Sequence, residues 1–206
     1  MSAHPSGEVT AACRFPRSAE AEPGYDPDQV DAFLGAVHAR LAAPAAAPDA
    51  AAAPAAAPVA VTSRDVRAVV FDRVRGGYRP GAVDEALDAA EDALAGLERD
   101  EFLEAHGAED WRRHLDELTA LVRGRLERPR TRRFRRPVEA RARGYSAAHV
   151  DVLCERLAER LAGRGTLEPS TLRRAVFPPA HGEHSYDEQQ VDAFLDRAVE
   201  LLLALR

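Results

Sequence analysis

Lysine is missing from this 206-residue chain: all 28 basic residues are arginine. That removes two chemistries at once, Schiff-base catalysis by an amine and the phosphate-binding loop that ends in Gly-Lys. Cysteine is nearly missing too. Cys13 and Cys154 are the pair present, too few for a disulfide framework and in keeping with a reducing compartment. The start of the chain lacks an apolar run, and the one near its end, Leu201 to Leu205, is far too short to span a bilayer. These scarcities predict a cytoplasmic protein. Groupings of nucleophile, base and orienting residue are also wanting. His149 and Cys154 stand five apart and share no helix face, and His181 and His184 have no cysteines nearby to complete a metal site. The expectation is a protein that is not an enzyme and takes no cofactor and no metal.

Tyrosine is scarce as well, and its four positions are the most informative feature present. Each opens the motif Tyr-x-x-x-x-Val-Asp: Tyr25 with Val30 and Asp31, Tyr78 with Val83 and Asp84, Tyr145 with Val150 and Asp151, Tyr186 with Val191 and Asp192. A leucine follows sixteen residues after every tyrosine, at Leu41, Leu94, Leu161 and Leu202. One residue type used only in one recurring slot predicts a chain built from copies of a small unit.

The slots have a mechanical reading. Asp187 and Asp26 suit the N-cap of a helix, where a carboxylate accepts free amide hydrogens. Gln190 and Gln29, three residues on, can complete a capping box, and Pro27 is harmless at the first helical position. Ser146 would cap the third copy, whereas Arg79-Pro80 is a poor cap for the second. Tyrosine then lies just outside the helix and valine at its fourth position, the two sites of a hydrophobic staple. Beyond the valine, Phe33, Leu34, Val37 and Leu41, or Phe194, Leu195, Ala198 and Leu202, continue one helical stripe. Upstream, Val61, Val66 and Phe71 match Leu167, Leu172 and Phe177, the mark of a short first helix. Gly24, Gly77 and Gly144 precede three tyrosines and would allow a backbone turn there. Each unit is therefore a short helix, a loop and a long amphipathic helix, in an all-α bundle. The aspartates would favour the helix dipole and pair with loop arginines. Cys154 takes the stripe position of Leu34, Leu87 and Leu195 and reads as a buried small hydrophobe.

Along the chain, residues 1–41 hold the first unit and 42–60 an Ala/Pro linker whose prolines break helix. Residues 61–206 hold three further units, 61–106, 127–162 and 166–206, with an inserted helix near 108–126 around Trp111, Leu115, Leu118 and Val122. One such unit cannot bury its stripe alone, so the units must pack on each other or on another chain. Both arrangements are open. Between Arg123 and Arg143 ten arginines face only Glu127 and Glu139, in a chain of net charge −6. Arg130, Arg132, Arg133, Arg135, Arg136 and Arg143, with Arg75, are candidate contacts to an anionic surface, unless the run pairs internally with the acidic helices. Nucleic acid is the alternative partner for this run, although it contains no patterned recognition helix.

The run Gly-Tyr-Asp-x-x-x-Val-Asp-Ala-Phe-Leu at Gly24–Leu34, nearly repeated at Ser185–Leu195, resembles the DivIVA domain of bacterial division and polar-growth proteins. The upstream patterns ending at Phe71 and Phe177 are similar to that domain's short first helix. The whole organisation resembles actinobacterial DivIVA-domain repeat proteins. That resemblance implies a non-enzymatic scaffold or adaptor in cell division or polar envelope growth, self-associating or binding other growth proteins. It also implies peripheral binding to anionic membrane at the inner face, through an apolar residue and an arginine at a loop tip. Here the corresponding slots hold Glu22-Pro23, Arg75-Gly76, Ala142-Arg143 and Glu183-His184. The bulky apolar residue is absent from all four, and only the second and third keep a basic tip.

Overall fold

The computed structural model describes residues 15–43, 60–139 and 142–206. The expected linker lies almost wholly outside these residues, as does Cys13. The described chain is mostly helical, and it divides into two compact units, Met1–Leu94 and Ala95–Arg206.

In the first unit, β1 (Pro23–Tyr25) leads into α1 (Pro27–Ala42), and α2 (Ser63–Ala68) leads through β2 (Arg73–Arg75) into the start of α3 (Pro80–Leu126). Local chemistry sets these starts. Asp26 caps α1, its carboxylate accepting from the amides of Asp28 and Gln29. Thr62 and Asp65 cap α2 reciprocally. Val30, Leu34, Phe71, Tyr78 and Val83 form the core of this unit.

The second unit contains the rest of α3, β3 (Arg143–Ser146), α4 (Ala147–Leu161), α5 (Pro169–Arg173), β4 (Pro179–His181), β5 (Ser185–Tyr186) and α6 (Glu188–Ala204). Gly107, at φ 82° and ψ 170°, breaks α3 into two arms. The rings of Phe102 and His114 lie 5.9 Å apart, where a straight helix would separate them by about 18 Å. The second arm therefore folds back, and its Leu118, Val122 and Leu126 join Val150, Cys154, Leu157, Phe194, Ala198 and Leu202 in one core. The residues near 108–126 thus form the second arm of a broken helix that packs into this core.

The expectation of an all-α chain needs correction, because two small antiparallel sheets are present, β1-β2 and β4-β3-β5. Their physical origin is the Gly-Tyr segment. Tyr25 and Tyr78 exchange both backbone bonds, N to O, at 2.9 and 2.8 Å. Tyr145 is likewise paired with Tyr186 between β3 and β5. Backbone polar groups in these buried extended segments find their partners across the strand.

The glycines before the tyrosines also differ from expectation. None of Gly24, Gly77 and Gly144 has the positive φ of a turn residue, which belongs instead to Gly76, Gly107, Gly163 and Gly182. They permit contact between backbones. A Cβ on Gly77 would sit 2.4 Å from the Tyr25 carbonyl oxygen, and one on Gly144 2.2 Å from that of Tyr186. Gly77→Ala should therefore destabilise the first unit by about 1–3 kcal/mol in urea unfolding. Gly81→Ala, where a Cβ meets nothing within 4 Å, should be neutral or stabilise by up to ~1 kcal/mol.

Candidate functional site

The motif side chains meet in pairs, copy one with copy two and copy three with copy four, and they meet crosswise. Tyr78 donates its hydroxyl to Asp31 at 3.0 Å, and the Asp84 carboxylate lies close enough to Tyr25 to help raise its pKa. Tyr145 reaches Asp192 at 3.5 Å, and Tyr186 reaches Asp151 at 3.1 Å. Each tyrosine thus uses the aspartate of its partner copy. Burial, and then the facing carboxylate, raises the pKa of Tyr25 and of Tyr145, so both phenols remain hydrogen-bond donors near neutral pH.

A phenylalanine upstream of each tyrosine completes the crossing. Phe15 packs edge-on against Tyr78, Phe71 against Tyr25 and Phe134 against Tyr186, and Phe177 packs tilted against Tyr145, with ring centroids 5.1–5.6 Å apart. Each such contact contributes roughly 0.5–1.5 kcal/mol beyond area burial. The backbone repeats the rule. The residue after each tyrosine donates its amide to the carbonyl of the residue after the partner's phenylalanine: Asp26 to Asp72, Arg79 to Pro16, Ser146 to Pro178 and Asp187 to Arg135, at 2.8–2.9 Å. In the first unit an arginine two residues beyond the phenylalanine also covers the ring, Arg17 over Tyr78 and Arg73 over Tyr25.

The four valines, Val30, Val83, Val150 and Val191, are buried at the fourth helical positions. Phe33 packs on Phe71 and Phe194 on Phe134, while Leu34 is buried and Leu195 half-buried. The expected capping boxes take another form. Gln29 bonds both to the side chain of Asp72 and to its amide, and Gln190 accepts the amide of Arg135. Both glutamines therefore tie the partner copy's Phe-loop to the helix start, in place of the cap backbone. Ser146 stands at its N-cap without a side-chain cap bond, its hydroxyl meeting His149 Nδ1 instead.

In the second unit the crossing contains a buried charge. Arg133 and Asp151, with side chains 8% and 4% exposed, pair at 3.0 Å. Asp151 also accepts the Thr131 amide at 2.7 Å, and the Tyr186 hydroxyl accepts the Arg133 amide at 3.2 Å. Thr131 has φ 63°, costly for a β-branched residue, and its bond to Asp151 holds it there. Burial pushes the Tyr186 phenol and the Cys154 thiol each up to about 12. The acceptors and donors of this network are consumed by one another, and it presents a protonated thiol and phenol, neither poised as a nucleophile.

The arginine run is thus partly structural. Arg133 does not face a surface at all, which corrects its place among the candidate anion contacts: its guanidinium is committed to Asp151 and the Leu126 carbonyl. Arg130 pairs with Glu155, which lowers the pKa of that carboxyl, and Arg135 reaches Asp187 at 3.4 Å. Arg75, Arg132, Arg136 and Arg143 are exposed and form no ion pair among the described residues. Groups of three or more potential metal ligands do not occur among the described residues.

Sequence reasoning overlooked Phe15 and Phe134. Their distance to the following tyrosine varies, but Phe15-Pro16-Arg17, Phe71-Asp72-Arg73 and Phe134-Arg135-Arg136 share a signal, phenylalanine with arginine two residues on. No family model, no curated protein and no solved structure matches the chain.

Two outcomes test this site. Asp151→Ala leaves the buried Arg133 with only its longer ionic contact to Glu155, at 3.8 Å, and should cost about 3 kcal/mol, against roughly 1 kcal/mol for Asp31→Ala at its exposed counterpart, both read by urea unfolding. The raised pKa values of Cys154 and Tyr186 stabilise the fold fully below their ordinary values of 9.0 and 10.0. That contribution should fade as pH climbs toward about 12, because the unfolded chain then releases protons that the core retains. The decline should be visible in Tm measured against pH.

Proposed function

We propose that this chain is a non-enzymatic, DivIVA-like adaptor whose four motif copies are repeats of one unit, closed in pairs within a single molecule. The observation that carries this reading is the crossing itself: every motif tyrosine and aspartate, and every phenylalanine ahead of a motif, is spent on holding two copies together. Such hardware serves assembly, and the resemblance of Gly24–Leu34 and Ser185–Leu195 to DivIVA domains points to cell division or polar envelope growth as its setting. Because the pairing surfaces are satisfied inside the chain, contacts with growth proteins run through the outer faces of the helices.

A peripheral membrane role follows from charge. None of the described helices is long and apolar enough to cross a membrane. Arg75, near the loop ahead of Tyr78, and Arg132, Arg136 and Arg143, ahead of Tyr145, are placed to attract anionic headgroups electrostatically.

Two measurements test this reading. Light scattering should return the monomer mass, 22.4 kDa, across the micromolar range. A dimer that forms with concentration would contradict closure within the chain. Sedimentation with vesicles should pull down protein with phosphatidylglycerol and not with phosphatidylcholine, weakening as salt rises. Replacing Arg132, Arg136 and Arg143 by glutamine should abolish it. Negligible binding to both lipids would remove the membrane role and leave an adaptor that works in solution.

A further inference from the structure

We propose that Gly107 is a hinge: turned to helical angles, it lets the second arm of α3 exchange with that of a second copy of this chain, and glycine at this one position holds the chain as a monomer. The inference rests on the geometry of α3 and not on the adaptor reading. Gly107 is the one residue inside α3 with non-helical angles, at φ 82° and ψ 170°. That region of backbone space is essentially closed to residues with a Cβ. Connections between packed helices ordinarily take several residues. Here a single residue turns the chain, and Ala105, His106, Ala108 and Glu109 on either side of it are helical.

The elbow carries no steric barrier of its own. A Cβ on Gly107 would meet nothing within 4 Å, so the backbone angles alone separate the folded-back form from the straight one. Side-chain contact is what holds the arms together. Phe102 of the first arm lies 5.4 Å from Trp111 and 5.9 Å from His114 of the second, and Ala95 packs against the core that Leu118, Val122 and Leu126 enter. A straight helix parts Phe102 from His114 by about 18 Å and uncovers both sides of this clasp. The surface that fits each side is then the matching arm of a second copy. Two straight helices laid antiparallel restore every one of these contacts, with Phe102 of each chain on Trp111 of the other. Short hinges are where such exchange arises.

The exchange leaves the motif crossings as they are. The bond of Tyr78 to Asp31 lies wholly ahead of Gly107, and those of Tyr145 to Asp192 and Tyr186 to Asp151 lie wholly behind it. Both pairs therefore remain closed within one chain, and the two molecules are joined only along residues 95–106 and 108–126. With glycine at the elbow the folded-back form wins, because its arms meet at the high effective concentration of a single chain. A residue with a Cβ penalises that form through its backbone and favours the straight one through its helix propensity. Each dimer contains two elbows, so the bias counts twice.

The test is Gly107→Ala in the full-length chain, measured by size-exclusion chromatography with light scattering. The mass should double from the 22.4 kDa of one chain. Gly96→Ala and Gly124→Ala, at helical glycines of α3 with open space around them, should keep the wild-type mass. When isotope-labelled and unlabelled Gly107→Ala chains are unfolded and refolded together, nuclear Overhauser contact should join Phe102 of one chain to Trp111, the sole tryptophan, of the other. Inserting Gly-Ser-Gly-Ser beside the substituted position lengthens the elbow and should return the monomer. A folded Gly107→Ala variant of wild-type mass would overturn the proposal, and so would a dimer whose Phe102–Trp111 contact stays within each chain. Should Gly107→Ala fail to fold, Gly107→Gln carries the same expectation with a polar side chain.

Discussion

Two extended Gly-Tyr segments pressed backbone to backbone are the constraint from which the rest of each unit follows. The contact at Gly24 and Gly77 is so close that no side chain fits between the strands, and it forces each tyrosine ring across to the partner copy. Once there, the ring finds the partner's phenylalanine on its edge and the partner's aspartate at its hydroxyl. The helix that starts two residues later is thereby aimed along its mate, which is how valine and leucine stripes that cannot be buried singly become one core.

The two units solve the same problem at different polarity. In the first, Asp31 is exposed and arginines cover the rings from outside. In the second, Ser185 replaces one crossing glycine and is itself buried, its hydroxyl donating to the Gly182 carbonyl, while Arg133 is drawn inward to Asp151. A buried pair of this kind adds little net stability over apolar residues, but losing one partner is expensive. Arg133, Thr131 and Asp151 all belong to the third copy, and the fourth contributes the Tyr186 hydroxyl to their network.

What could be read from the sequence was local or repetitive. The caps at Asp26 and Asp187 depend on residues two or three positions away, and the valine and leucine slots repeat at fixed offsets. The bonds of Tyr78 to Asp31, Tyr145 to Asp192 and Tyr186 to Asp151 join residues 47, 47 and 35 positions apart, and no spacing announces which aspartate a tyrosine will use. Strands of two to four residues are too short for an alternating pattern to show. The burial of Arg133 was hidden for another reason: amid ten arginines in 21 residues, nothing local marks the one that turns inward. The loops between phenylalanine and tyrosine differ in length, and that variation concealed Phe15 and Phe134, although both obey the same contact rule.

Closure of two copies within one chain is most directly tested by nuclear Overhauser contact between the amide protons of Tyr25 and Tyr78, whose backbones exchange both hydrogen bonds. The spectrum is recorded on isotope-labelled protein alone and after dilution into about a tenfold excess of unlabelled chain that has been unfolded and refolded with it. Pairing within the molecule predicts a cross-peak whose intensity per labelled chain is unchanged by the mixing. A peak that falls in proportion to the dilution, or that is absent from the undiluted sample, would contradict the account.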